Sequence, residues 1–162
     1  MSTCPHNLER GCSVCDPVTS IRFKLNRSDG AQPQQPSRAY DGDAGFDLYA
    51  SRESLILPST CREINTDVFI ALPSSLWCRI VGRSSSSRKG LAIQEGIIDS
   101  GYRGEMFFGV WNMTREIVRI KVGQRLAQLI LMPHVSPLIG WSEVEELPTS
   151  VRGTRGFGSS GG

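Results

Sequence analysis

The sequence predicts an all-β jelly-roll subunit. Three observations carry that expectation: apolar residues alternate with period two in several short runs, turn-forming clusters separate those runs, and no segment sustains a 3.6-residue apolar stripe. Many short strands in a chain of 162 residues suit a β-sandwich or jelly roll. That length supports one domain with a real core and is too short for two comfortable ones.

The strand signals run in order along the chain. Ile21-Arg22-Phe23-Lys24-Leu25 alternates apolar and basic residues, and Val68, Ile70 and Leu72 alternate before Pro73. Val118, Ile120 and Val122 alternate with Arg119 and Lys121, and Leu126 to Leu131 is apolar enough to be buried on both faces. Turns are expected at Ser28-Asp29-Gly30, Asp41-Gly42-Asp43, Pro58-Ser59-Thr60, Pro73-Ser74-Ser75 and Ser100-Gly101. Ala31-Gln32-Pro33-Gln34-Gln35-Pro36 reads as a loop, and Ser85 to Lys89 as one short helical turn. The expected organisation is a Cys-rich lead over residues 1–18, a jelly-roll core over 19–150 and a C-terminal arm over 151–162.

Composition excludes several classes. Hydrophobic content of 39% and charged content of 21% are ordinary for a soluble globular protein. No apolar stretch approaches a membrane span, and no basic region leads into an apolar one at the N-terminus, so a cytoplasmic location is expected. Five cysteines, an odd count, fit a reducing compartment better than a disulfide scaffold. A formal net charge of +2 is too mild to argue for duplex DNA, and no direct nucleic-acid binding is expected. Arg83, Arg88 and Lys89 cluster mid-chain, and Arg152 and Arg155 sit in the tail. Such local clusters beside serines and glycines suit a small polyanion, a nucleotide rather than a DNA helix.

The last eleven residues, from Arg152 to Gly162, hold five glycines, two arginines, two serines, a threonine, one aromatic and no acid. They cannot pack a core, because Gly resists ordering and almost nothing apolar is present. Glycine amides and hydroxyls can instead close around phosphate oxygens, with arginines adding charge and Phe157 a flat face for a base. The bland reading, a frayed Gly/Ser tail, leaves the two arginines and the phenylalanine unexplained. Three interior segments share the mixture of Gly, Ser, Arg and Asp: Asp43 to Ala50, Gly82 to Leu91, and Glu95 to Glu105. A fourth, Gly123 to Leu129, places Arg125 and Gln128 around an apolar strand. Taken singly, each could be a turn or an exposed loop.

Together and in this order, the five segments closely resemble the motifs of the trimeric dUTP pyrophosphatase (dUTPase) family, over the chain from Ala44 to Gly161. The resemblance implies a dUTPase-like β-clip jelly roll, a homotrimer with active sites shared between subunits, and Mg²⁺-dependent hydrolysis of dUTP to dUMP and pyrophosphate. That activity keeps uracil out of DNA and supplies dUMP for dTTP synthesis. By the same resemblance Asp99 is the base that deprotonates the attacking water, which in-line attack on the α-phosphorus requires. Tyr102, at what is expected to be a hairpin, packs on the deoxyribose and leaves no room for a 2′-OH. The hairpin backbone, with Gly96 and Ile98, pairs with the uracil edge. Arg83 with Ser84 and Ser85 contacts the phosphate chain, where a guanidinium and hydroxyls stabilise charge on the leaving group. Gln128 touches phosphate, and Asp47 orients the phosphate-binding Arg and the hydration of the metal. Arg152 and Phe157 close on the nucleotide, while Gly158, Ser159 and Ser160 cradle the γ-phosphate. Mg²⁺ is expected on the triphosphate, mostly water-coordinated, without a protein cage.

The chain departs from the family pattern in places. Its second motif is a longer, Ser-rich version, and Gln94-Glu95 stands where an asparagine often helps hold uracil, so side-chain recognition by Gln94 is open. The related dCTP deaminases need a glutamate on the strand after the hairpin, where this chain has Gly109; the deaminase reading is the weaker alternative. A nucleotide-gated protein-binding module on the same fold is the second alternative. The lead holds Cys4-Pro5-His6 and Cys12-Ser13-Val14-Cys15. These four residues could complete a tetrahedral Zn²⁺ site, or the lead could be disordered with reactive thiols. The source could be cellular or viral; a viral enzyme would work in the host cytosol or nucleus.

Overall fold

The structure is a computed structural model that describes residues 20–135, 139–150 and Thr154. Its elements follow in order: β1 (Arg22–Leu25), β2 (Gly45–Tyr49), β3 (Ser54–Ile56), β4 (Cys61–Ala71), β5 (Leu76–Gly82), α1 (Ser84–Ser87), β6 (Leu91–Gln94), β7 (Gly96–Ile98), β8 (Glu105–Asn112), β9 (Val118–Ile120) and β10 (Arg125–Pro133). They form one four-stranded sheet in the order β1-β4-β8-β6, a second in the order β2-β10-β5-β7, and a two-stranded ribbon of β3 and β9. All the pairings are antiparallel. The all-β jelly-roll expectation holds.

Period-two patterning builds the core. Along β8, Met106, Phe108, Val110 and Asn112 point inward and are buried, while Phe107 and Trp111 point outward. Leu48 from β2, Ile64 and Val68 from β4, Ile80 from β5, and Leu126 and Leu129 from β10 meet them between the sheets. The polar exception, Asn112, is fully bonded. Its Nδ2 donates to the carbonyls of Ile56 and Glu116 at 3.0 and 2.7 Å, and its Oδ1 accepts from the Thr114 amide and hydroxyl. A buried amide so satisfied costs little and fixes the loop that follows β8.

Two expectations are corrected. The alternation through Val122 does not extend the strand, because β9 ends at Ile120 and residues 121–124 turn back. Gln124 donates its amide to Lys121 O at 3.0 Å while its side chain accepts from the Lys121 amide at 2.9 Å, and Gly123 takes φ +74°. The residues around Asp99 are not a β-hairpin. β7 pairs with β5 in one sheet and β8 with β4 and β6 in the other, so residues 99–104 form a corner that crosses between the sheets. Period-two patterning specifies strands but not which sheet each joins.

Candidate active site

The candidate site begins at the centre of the second sheet. β10 lies between β2 and β5, and its Gln128 sits opposite Asp47 on one side and Val81 on the other. Arg83 follows directly after β5, where its amide donates to Leu126 O at 3.1 Å. The serine run then makes the single turn of α1. Ser86 is buried there and donates its hydroxyl to Leu126 O at 2.7 Å, which ties the turn to β10. These strand ends enclose a cleft of about 260 Å³ lined by Asp43, Gly45, Asp47, Arg83, Ser84, Ser85 and Gln128, among others.

Asp47 organises the cleft. It is buried, and its two carboxylate oxygens engage two different guanidiniums: Oδ1 forms an ion pair with Arg83 Nε at 2.7 Å, and Oδ2 accepts from Arg125 Nη1 at 3.0 Å. One acid between two bases leaves the trio a formal charge of +1, so the carboxylate aims cations and does not cancel them. Gly45 is required by packing, since a Cβ there would lie 2.6 Å from Gln128 Oε1 and 2.8 Å from Ile130 Cδ1. A side chain at that point would push Gln128 out of its place. Asp43 caps the approach, accepting from the amides of Ala39 and Tyr40 at 3.1 and 3.0 Å.

The structure thus brings together Asp47, Arg83, Ser84, Ser85 and Gln128 from the first, second and fourth segments. Asp99, Tyr102, Gly96, Ile98 and Gln94 do not line this cleft. Asp99 is exposed at the inter-sheet corner, and its carboxylate bonds to no described residue. Tyr102 donates its amide to Asp99 O at 3.0 Å and its hydroxyl to Glu105 O at 3.0 Å. Gln94 lies in the other sheet opposite Gly109, where a Cβ would meet Gln94 Oε1 at 2.7 Å and Cys61 Sγ at 3.3 Å. Gly109 therefore packs against its neighbours and carries no acid toward a base. Arg152, Phe157, Gly158, Ser159 and Ser160 lie outside the described residues, as do Cys4, His6, Cys12 and Cys15.

Sequence reasoning passed over Arg125 as a site residue. Its signal was a base opening an apolar strand, which needs a counter-charge, and Asp47 on the paired strand supplies it. Cys78 is no nucleophile, because burial pushes its thiol up to about 12. No group of three or more His, Cys, Asp or Glu among the described residues could hold a metal ion by itself.

A jelly roll with a polar cleft at the strand ends, lined by a guanidinium, two hydroxyls and an amide, defines a β-sandwich with a donor-rich candidate site. The comparisons make the class specific. The dUTPase family profile matches residues 32–161. The deoxyuridine 5′-triphosphate nucleotidohydrolase of Tropheryma whipplei (strain Twist) is 42% identical over 132 residues, covering 78% of this chain and 88% of that protein. The cowpox virus protein of the same name is 36% identical over 149 residues, 92% of this chain and 96% of the viral one. Among solved structures, the Staphylococcus bacteriophage 80alpha dUTPase with dUpNHpp superposes with a TM-score of 0.79 at 29% identity, covering 89% of this chain and 99% of the phage chain. A variant dUTPase of phage phi11 of S. aureus, described for its coordination of a structural Mg(II) ion, superposes at 0.69 with 26% identity, over 78% of this chain and 97% of that one. The chain belongs to the dUTPase family. The profile match begins after the Cys-rich lead and lends the Zn²⁺ expectation no support.

Proposed function

We propose that this chain hydrolyses dUTP to dUMP and pyrophosphate, with the cleft around Asp47 taking the phosphate chain. The observation that carries the reading is Arg83, oriented by Asp47, beside Ser84, Ser85 and Gln128, because it presents a guanidinium, two hydroxyls and an amide as donors in one concave place. Arg83, held by Asp47 and by the backbone bond to Leu126, meets negative charge with its orientation already settled. Donors oriented in advance stabilise a leaving group more effectively than mobile ones. Ser84, Ser85 and Gln128 supply neutral donors around the same oxygens.

Asp99 serves as the base for the attacking water, and Tyr102 as the platform under the deoxyribose. Gly96 and Ile98, with Gln94 beside them, offer the edge that reads uracil. Arg152, Phe157, Gly158, Ser159 and Ser160 close over the bound nucleotide. Asp99 and Tyr102 are absent from the cleft of their own chain, which supports a homotrimer whose sites combine residues from different subunits. The exposed apolar side chains of Ile139, Trp141, Val144 and Leu147, on the segment after β10, are in keeping with such an assembly.

The residues fit a Mg²⁺ ion carried by the triphosphate, not one caged by protein. Both carboxylates lining the cleft are already engaged: Asp47 by two guanidiniums, Asp43 by two amides. Asp47 would accept hydrogen bonds from the ion's hydration shell through its remaining lone pairs. The ion would neutralise charge on the triphosphate. The activity belongs in the cytoplasm, or in the host cytosol or nucleus for a viral enzyme.

A pyrophosphate-release assay against dUTP, dCTP, dTTP and UTP tests the proposal. Preferential turnover of dUTP is expected. Ammonia release from dCTP would restore the deaminase reading, and nucleotide binding without turnover would favour a binding module.

A further inference from the structure

We infer that Glu105 is a positioning residue for sugar recognition, acting through Tyr102; the inference rests on the reading of Tyr102 as the deoxyribose platform. The corner from Asp99 to Glu105 is closed largely upon itself. Arg103 Nη1 donates to the carbonyls of Ser100 and Tyr102, both at 2.7 Å, and the Tyr102 amide donates to Asp99 O. The Tyr102 ring folds back over Gly104, where an added Cβ would collide with the ring and its hydroxyl. That hydroxyl then reaches the Glu105 carbonyl. The ring position is therefore referenced to the backbone of residue 105.

Residue 105 opens β8 and pairs with Phe69 of β4 at the end of the ladder, beside the bulge, so its position depends on how that end is held. Among the described residues, the Glu105 carboxylate is the only side chain of this corner bonded to the rest of the sandwich. Its Oε1 accepts from the amides of Thr66 and Asp67 at 3.1 and 2.8 Å, and both oxygens lie 3.2 Å from Asn65 Nδ2. Those two amides are available because the β4–β8 register shifts between Asn65 and Val68, a bulge where Asp67 adopts φ +52°. The bulge is rigid in its own right. Asp67 accepts from Ser51 Oγ at 2.6 Å, Asn26 Nδ2 at 3.0 Å and Arg52 Nε at 3.2 Å. A chain of bonds thus runs from the β4 bulge through the Glu105 carboxylate to the Glu105 carbonyl and the Tyr102 ring.

A platform that excludes a 2′-OH by shape depends on the ring lying in one place, so loosening Glu105 relaxes discrimination before it abolishes turnover. The measurement is the ratio of kcat/KM for dUTP to that for UTP, in the unaltered protein and in Glu105→Gln, Glu105→Asp, Glu105→Ala and Tyr102→Phe. This ratio is independent of the fraction of protein that is folded, so a merely structural role for Glu105 leaves it unchanged. Glu105→Gln keeps an oxygen at the two bulge amides and should hold the ratio within about threefold of the unaltered protein. Glu105→Asp, too short to reach them, should lower it about tenfold, as should Glu105→Ala and Tyr102→Phe. The pH dependence of kcat should stay as it was in all four. Where Glu105→Ala yields no folded protein, Glu105→Asp and Tyr102→Phe decide. An unchanged ratio in those two, with the unaltered protein preferring dUTP, overturns the role of Glu105 and leaves the hydrolase reading standing. An unaltered protein that hydrolyses both nucleotides equally overturns the reading of Tyr102 as the deoxyribose platform and the role of Glu105 with it.

Discussion

Replacing Asp47 with Asn tests the assignment of the cleft most directly. The substitution is nearly isosteric, so the cleft keeps its shape while its organising charge disappears. One oxygen remains to accept from a single guanidinium, and the new amide group faces the other as donor against donor. Breaking a buried ion pair from one side typically costs about 3–5 kcal/mol. Here the loss should be smaller, because the Arg83 and Arg125 side chains retain 28% and 45% exposure and water can solvate them. About 2–3 kcal/mol is the reasonable figure, which lowers Tm by about 4–12 °C for a domain of this size. The catalytic loss should be larger than stability alone implies. Removing one fixed donor from a developing charge costs about 10²- to 10³-fold. Arg83 is unfastened, not deleted, so about 10- to 10²-fold in kcat/KM is expected. Thermal unfolding at fixed protein concentration and pyrophosphate release at saturating and limiting dUTP supply both figures. An Asp47→Asn protein with kcat and KM within about twofold of the unaltered values would refute the claim that this carboxylate aims Arg83 at phosphate.

Other expectations follow from the same geometry. Asp99→Asn should lower turnover about 10²- to 10⁴-fold while binding of a non-hydrolysable dUTP analogue stays within about threefold; full turnover would remove Asp99 as base. At Asp67, burial alone would push the carboxyl up, but hydrogen bonds from Ser51, Arg52 and Asn26 and the Arg52 charge outweigh it and hold the group below its ordinary value of 3.8. Its contribution to stability is complete above about pH 4 and is lost as pH falls through the lowered folded value. Asp67→Asn, which tolerates the same positive φ, should therefore show a shallower fall in Tm below pH 4, and an identical acid slope would count against the assignment. If the C-terminal arm closes another subunit's site, Asp99→Asn chains refolded with chains ending at Val151 should recover about a quarter of full activity, from one half times one half in a cyclic trimer. No recovery, with mixed trimers confirmed, would place the arm in cis.

Much of the fold was legible because strand patterning is local. Arg22 to Leu25 and Val68 to Ile70 read as strands through alternation and Leu126 to Leu131 through its continuous apolar run, and the turn at Asp29-Gly30 is written in residues that accept positive φ. What alternation cannot state is partnership. Nothing in Gly96-Ile97-Ile98 reveals that it leaves the sheet of Leu91–Gln94 for the other one, so the Asp99 segment reads as a hairpin when it is a corner. The site shows the same division. Asp47, Arg83 and Gln128 were legible as members of motifs, but Arg125 acquires its place only because β2 and β10 pair in a register that sets it beside Asp47. Ser86 was hidden in a run of identical residues, where one hydroxyl is buried on a β10 carbonyl and its neighbours line a cleft.

The two halves of the proposed site are built by different means, and this has a functional consequence. The phosphate half rests on a buried ion pair between adjacent strands of one sheet, and its shape does not depend on what the other sheet does. The base-and-sugar half sits on a corner between the sheets, held by a carboxylate against a bulge some forty residues away in sequence. Charge stabilisation and nucleotide selection can then vary separately. Damage at Asp47 removes transition-state stabilisation that dUTP and UTP share, so both rates should fall together and their ratio should stay constant. Damage at Glu105 or Tyr102 bears on the one feature by which those nucleotides differ, so the ratio should move. A protein whose Asp47→Asn and Glu105→Ala variants changed rate and ratio in the same proportion would have a single coupled site, and the division between sheet and corner would carry no functional meaning.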